Sequence, residues 1–304
     1  RYNALFDEGQ PGPSISPAST RKGLAPDLLA KSLSRRPILI LGDVGVGKTT
    51  FLRRLINIAA VEQFKNSIAL HLNLGTQAAL TMDLRLFVVE EIARQLRDEY
   101  SIDVEEQGLV RGVYDGDLQK FARGINAPLR GVNQQAYVEK EIAFLEEKLS
   151  DKAEHLKNSL THIEKGRKKQ IIIFLDNADQ RDYDTQQKAF LIAQEIAANW
   201  PATVFITLRP ETFHLSLRSG GTLSGYHPKA FTIAPPRIDR VIEKRLRFGL
   251  KITRGEIPIS KLSHVSVQLH SLDAIINALL DTISKRRDIG ELIDNIAGGN
   301  VRLA

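Results

Sequence analysis

The chain has 304 residues, 42% of them hydrophobic, enough for a packed core and for more than one domain. Charged residues make up 26%, and no apolar run approaches the roughly 20 residues a membrane-spanning helix needs, so no membrane role is expected. Cysteine is absent, which excludes disulfides and thiolate metal sites and fits a reducing, cytoplasmic setting; the net charge of +6 and pI near 9.4 permit nucleic acid as a partner.

Residues 9–23 are rich in Gly, Pro and Ser and read as an irregular approach segment. A short helix is expected over 28–33. Residues 37–41 (PILIL) are continuously apolar after the proline, the mark of a central parallel strand covered on both faces. A Gly-rich turn and a helix from about Thr49 to Ala60 follow. A second strand is expected from Ser67 to Leu74. Met82 to Tyr100 predicts an amphipathic helix, with Leu84, Val88, Ile92 and Leu96 on one face. Residues 101–135 have weak periodicity. Val138 to Ile163 predicts one long helix, in which Ile142, Leu149, Leu156 and Ile163 recur every seven residues. Lys152 breaks that seam, which favours packing within the domain over a coiled-coil contact.

Ile171 to Leu175 predicts a buried strand, Thr185 to Asn199 a helix, and Thr203 to Leu208 another strand. A Gly- and Ser-rich loop over 216–228 leads to a short strand at Phe231–Ile233. Helical patterns then cover 237–249, 268–285 and 288–297. Strands alternating with helices predict an α/β fold with a parallel sheet flanked by helices; the tail predicts an all-helical lid subdomain. The expected divisions are an irregular segment at 1–23, an α/β core at 24–234 with a helical insertion at about 101–166, and a lid at 235–304. The chain begins at Arg1, not Met, and stops at Ala304 inside a helical pattern, so it reads as a segment of a longer protein.

Gly42-Asp43-Val44-Gly45-Val46-Gly47-Lys48-Thr49 matches G-x-x-x-x-G-K-S/T at every fixed position, between a strand and a helix. Glycines let the backbone wrap closely in conformations barred to other residues. Successive N–H groups then face phosphate oxygens, helped by the partial positive charge of the helix start. Lys48 is placed for the β- and γ-phosphates, Thr49 for Mg²⁺ and Thr50 for the α-phosphate. A chance turn is the bland alternative, and the flanking strand and helix argue against it. A site that binds nucleotide without hydrolysing it is the more serious rival.

A P-loop enzyme also needs a carboxylate on a neighbouring strand for the metal. Residues 171–176, five apolar residues ending in Asp176, have that pattern. Position 177 is Asn, which cannot take a proton, and the next acid is Asp179. The run Asp176-Asn177-Ala178-Asp179-Gln180-Arg181 resembles the second motif of NACHT and related STAND NTPases, and that of KAP-type P-loop ATPases. The resemblance assigns Asp176 to Mg²⁺ and Asp179 to water activation; ordinary capping or turn acids are the alternative. Strand 203–208 ends at Arg209, which the same resemblance makes a reader of the γ-phosphate, with Thr207 a second candidate. An Arg paired with Asp176 or Asp179 is the competing reading. Gly298-Gly299-Asn300-Val301-Arg302 looks like the G-G/N-x-x-R opening of a lid helix in origin-recognition and STAND ATPases, which gives Arg302 a nucleotide contact.

No guanine-reading N-K-x-D or T-K-x-D run follows the loop, which favours ATP over GTP. The histidines show no metal-ligand spacing. Arg218, Arg237 and Arg240 are unranked candidates for an arginine finger acting in trans. The chain as a whole resembles an ATPase module of the AAA+/STAND class. That resemblance implies ATP and Mg²⁺ as ligands, a switch between a closed monomer and an active homo-oligomer, and effector domains or partner proteins outside the segment, in regulation or phage defence. Two other functions stay open: a DNA- or RNA-associated motor or loader, and a nucleotide-dependent scaffold with little turnover. For the loader, the basic groups are Arg35-Arg36, Arg53-Arg54, Arg167-Lys168-Lys169, Arg245 with Arg247, and Lys285-Arg286-Arg287.

Overall fold

The computed structural model describes residues 15–17, 35–54, 67–76, 79, 83–226, 228–235, 237–256, 272–298 and 300. The chain packs as two compact units. The larger comprises Ala25–Leu39 and Ala60–Lys229; the smaller comprises Arg1–Leu24, Ile40–Ala59 and Ala230–Ala304.

β1 is Ile15–Pro17, β2 Ile38–Leu41, β3 Ser67–Asn73, β4 Gln170–Asp176, β5 Ala202–Leu208 and β6 Lys229–Ile233. In the larger unit the order is β2-β5-β4-β3, with β2 contributing its first half. β3 and β4 run parallel, with Asn73 opposite Asp176, and β4 and β5 run parallel, with Leu175 opposite Ile206. Ile171 to Asp176 are all buried, as expected of a strand covered on both faces. The sheet is therefore of the parallel α/β class that the sequence predicts.

β3 lies at the sheet edge, where unpaired backbone groups need partners. Helix α2 (Leu84–Tyr100) supplies them. Gln95 accepts from His71 N at 2.8 Å and donates to His71 O at 2.7 Å; the Tyr100 hydroxyl accepts from Ala69 N at 2.8 Å and donates to Ala69 O at 3.0 Å. The helix starts at an Asp83 cap and buries Phe87, Val88, Val89, Ile92 and Leu96. The Phe174 ring lies between His71 (4.6 Å between centroids) and Phe205 (4.9 Å) across three strands. Phe174→Ala is expected to cost about 3–5 kcal/mol of stability, read by chemical denaturation, because the Phe174 ring is fully buried and its loss opens a cavity.

Between α2 and β4 lie α3 (Gln107–Val113), α4 (Asp115–Arg123), α5 (Leu129–Val132), α6 (Gln134–Ser150) and α7 (Lys152–Arg167). The single long helix expected over 138–163 is two helices. Asp151 leaves helical geometry at ψ 87° and caps α7, accepting from Glu154 N at 3.0 Å. The seven-residue apolar recurrence spans this break without forming one face. Ile142 is exposed, whereas Leu156 and Ile163 are buried.

The loop expected over 216–228 is also helical in part. α9 (Pro210–Arg218) begins with Pro210, whose fixed φ suits a first turn, and α10 (Thr222–Tyr226) follows. Buried Ser216 accepts from Leu223 N at 3.1 Å, so this serine joins the two helices. α8 (Tyr183–Asn199) is capped by Asp182 and packs on β5.

In the smaller unit the sheet order is β1-β6-β2, with β2 contributing its second half. β1 pairs antiparallel with β6, from Ile15 opposite Ile233 to Pro17 opposite Phe231. The segment read as irregular thus contains a strand, placed at the sheet edge where a proline is tolerated. α1 (Lys48–Arg54) follows the Gly-rich turn. α11 (Ile238–Thr253), α12 (Leu272–Lys285) and α13 (Arg287–Ala297) pack on one another. Asp294 on α13 accepts from Ile238 N at 3.0 Å and so fastens the start of α11. The helices expected over 28–33 and 55–60 lie outside the described residues. Among the described residues no helix is long and apolar enough to cross a membrane.

Candidate functional site

In the smaller unit, β2 ends in a turn that the glycines make feasible. Gly45 has φ 86° and Gly47 φ 97°, both in the region that β-carbons disfavour. Val46 N donates to Asp43 O at 3.3 Å, and Phe51 N donates to Gly47 O at 2.8 Å as α1 begins. Lys48 is buried, at 6% exposure, and its ammonium folds back onto the loop. Nζ donates to Gly42 O at 2.6 Å and to Asp43 O at 2.8 Å. A β-carbon at Gly42 would meet Val46 Cγ1 at 2.9 Å, whereas one at Gly47 would meet nothing within 4 Å. Space is therefore open at Gly47, Asp43 and Val44 are exposed, and Thr49 is half-buried.

Asn300, just past the Gly298 that ends α13 in a left-handed cap, comes against this loop. A β-carbon at Gly45 would lie 2.1 Å from Asn300 Oδ1. Gly45 is thus required by its φ, and any side chain there would also displace the Asn300 amide. Asn300 lies within the Gly298–Arg302 motif, in which the resemblance gives a role to Arg302 alone. Arg302 lies outside the described residues.

The acidic residues belong to the larger unit. Asp176 ends β4 at 7% exposure, and its Oδ1 accepts from Thr207 Oγ1 at 3.2 Å and from Asn177 N at 2.8 Å. These two donors fix the orientation of the carboxylate. Asp176 does not sit on the strand next to β2, contrary to expectation. β5 lies between them, and Thr207 is its buried polar residue facing Asp176. Sequence alone gives the strands but not their order, because pairing depends on long-range packing.

Asp179 lies in a short 3₁₀ turn, Ala178–Gln180, at 2% exposure. Arg209 Nε donates to the Asp179 backbone carbonyl, so the guanidinium grips the turn that carries the acid through its backbone. Asn177 stands in the left-handed region at φ 61°, which asparagine tolerates. Its Nδ2 donates to Asn73 Oδ1 at 2.7 Å, and its Oδ1 accepts from Gln180 at 2.9 Å. Arg181 adds bonds to Leu74 O at 2.7 Å and Thr76 O at 3.1 Å. Asn73 and Arg181 hold the acidic turn to the end of β3; Arg181 closes the run from Asp176 to Arg181, whereas no local pattern in the sequence points to Asn73. Among the described residues, no three acidic or imidazole side chains gather as an all-protein metal cage.

The fold and the Gly-rich turn together define a P-loop α/β protein. No protein-family model and no curated protein matches the chain. Among solved structures it is similar to Cdc6p from Pyrobaculum aerophilum, at 14% identity and a TM-score of 0.37, with 80% of this chain and 52% of that one covered. The chain thus spans about half the length of that protein.

Proposed function

We propose that this chain is an ATP-binding and hydrolysing switch of the STAND-like kind, whose nucleotide state gates an effector or self-association outside the segment, in regulation or phage defence. The observation that carries this reading is the buried Lys48 ammonium held by two neutral loop carbonyls beside open space at Gly47. A polyphosphate offers that ammonium anionic oxygens as acceptors, and the loop N–H groups of residues 42–49 suit its remaining oxygens. Thr49 and Asp176 are the side chains assigned to Mg²⁺, which when bound neutralises phosphate charge. Asp179 is assigned to the attacking water and Arg209 to the γ-phosphate. Asn177 stands where many relatives carry a base, and Asp179 is buried, so slow turnover is expected.

The contact of Asn300 with Gly45 supports the switch. An occupied loop is felt directly by the chain leaving α13. Light scattering with ATP and with ADP tests it. Different masses in the two states are expected; one mass in both would count against switching by assembly. Absence of ATP binding would remove the whole reading.

Gly45→Ala tests the loop. A side chain at positive φ costs about 1–3 kcal/mol, and Asn300 must also move, so affinity for ATP is expected to fall about 5- to 150-fold. Calorimetric titration reads this, and unchanged affinity would show that the loop geometry is not what binds.

A further inference from the structure

Several basic groups that the sequence offers for nucleic acid are neutralised on the surface. Arg247 pairs with Glu243, Lys285 with Asp281, and Arg286 with Asp288. A different place on the molecule has the opposite character. Between Asp117 and Glu139 there is no acidic residue, while Lys120, Arg123 and Arg130 are basic. Lys120 reaches Asp117 at 3.3 Å, but Arg123 and Arg130 make no ion pair among the described residues, and both are exposed.

This stretch forms a knob between α4 and α6. Successive turns close it: Ala127 N donates to Gly124 O, Leu129 N to Asn126 O, and Asn133 N to Leu129 O. On it Ile125 is 95% exposed and Val132 87% exposed, the two most exposed large hydrophobic side chains among the described residues. Exposed Asn133, Gln134 and Gln135 adjoin them. Two exposed aliphatic side chains, two unpaired arginines and three exposed amides thus occur within one acid-free stretch, a composition that suits an anionic partner with groove surfaces for the aliphatic groups.

We propose that the knob at residues 118–138 is a duplex-DNA contact, with Arg123 and Arg130 on phosphates and Ile125 and Val132 against the floor of the minor groove. Minor-groove proteins combine Arg, Asn and Gln with aliphatic wedges in this way. Single strands are disfavoured because they are gripped by free aromatic faces, and the knob's aromatics are already packed. Phe121 lies 5.6 Å from Tyr137 and 5.3 Å from Phe144 between ring centroids. A lipid surface is disfavoured because α5 has only four residues, too few for an amphipathic face. The proposal stands apart from the nucleotide reading, since none of these residues belongs to the P-loop or the acidic turn.

The test is fluorescence anisotropy of the full chain without ATP, on a labelled duplex, the matching single strand and phosphatidylserine vesicles. Salt-dependent binding to the duplex, tighter than to the other two, is expected. R123S/R130S should weaken binding at least tenfold and lower the slope of log Kd against log salt by about 2, at ~0.9 per phosphate contact. I125S/V132S should weaken binding several-fold with the slope unchanged. All four side chains are exposed, so thermal midpoints should hold. No duplex binding, preference for the single strand or vesicles, or wild-type binding by the arginine variant would each overturn the proposal.

Discussion

Lys48→Ala is expected to lower affinity for ATP by at least about 100-fold. Hydrogen bonds to charged groups contribute ~1.5–3 kcal/mol each, and the ammonium has three donors for phosphate oxygens. Losing two such bonds corresponds to ~10²- to 10⁴-fold. The substitution also removes the donor to Gly42 O and Asp43 O, so some loss of stability accompanies it. Lys48→Arg separates the two effects, because it keeps the charge. Titration with a fluorescent ATP analogue measures all three proteins, with circular dichroism to check folding. Affinity retained within about threefold in a folded Lys48→Ala protein would refute the assigned site.

Asp176→Asn is expected to leave metal-free ATP binding nearly intact and to reduce turnover by on the order of 100-fold. The amide oxygen of Asn still accepts from Thr207 Oγ1 and Asn177 N, so the local geometry survives. What disappears is the negative charge. Affinity measured with Mg²⁺ should then no longer exceed affinity measured with EDTA. Phosphate release and paired titrations give both numbers. Turnover equal to wild type would show that Asp176 has no part in holding the metal. Asp179→Asn should instead slow turnover without removing the Mg²⁺ dependence of binding.

The two substitutions address parts of the chain that are legible for different reasons. The run from Ile38 to Thr50 is a local object. Its strand, turn and helix start are dictated by neighbours a few residues apart, and Gly45 and Gly47 take the positive φ their type permits. Asp176 was legible because an uninterrupted apolar run ending in an acid reads as a buried strand reaching its polar end. The break at Asp151 is not legible in the sequence, because an apolar recurrence says nothing about a cap that ends one helix and begins the next. β1 is not legible either, because a proline-rich stretch carries no strand pattern, and its pairing partner β6 lies far along the chain.

The sequence by itself determined the strand–loop–helix unit that bears Lys48, the parallel α/β character of the core and the strand that ends at Asp176. Each depends on contacts within a few residues or on the apolar content of one segment. Only the tertiary structure decided that β5 lies between β2 and β4, so that Thr207 bonds Asp176, and that Asn177, Asn73 and Arg181 lock the acidic turn. It alone brought Asn300 against Gly45. Those contacts join residues from 31 to more than 200 positions apart, set by how helices and strands pack, and no local periodicity records them.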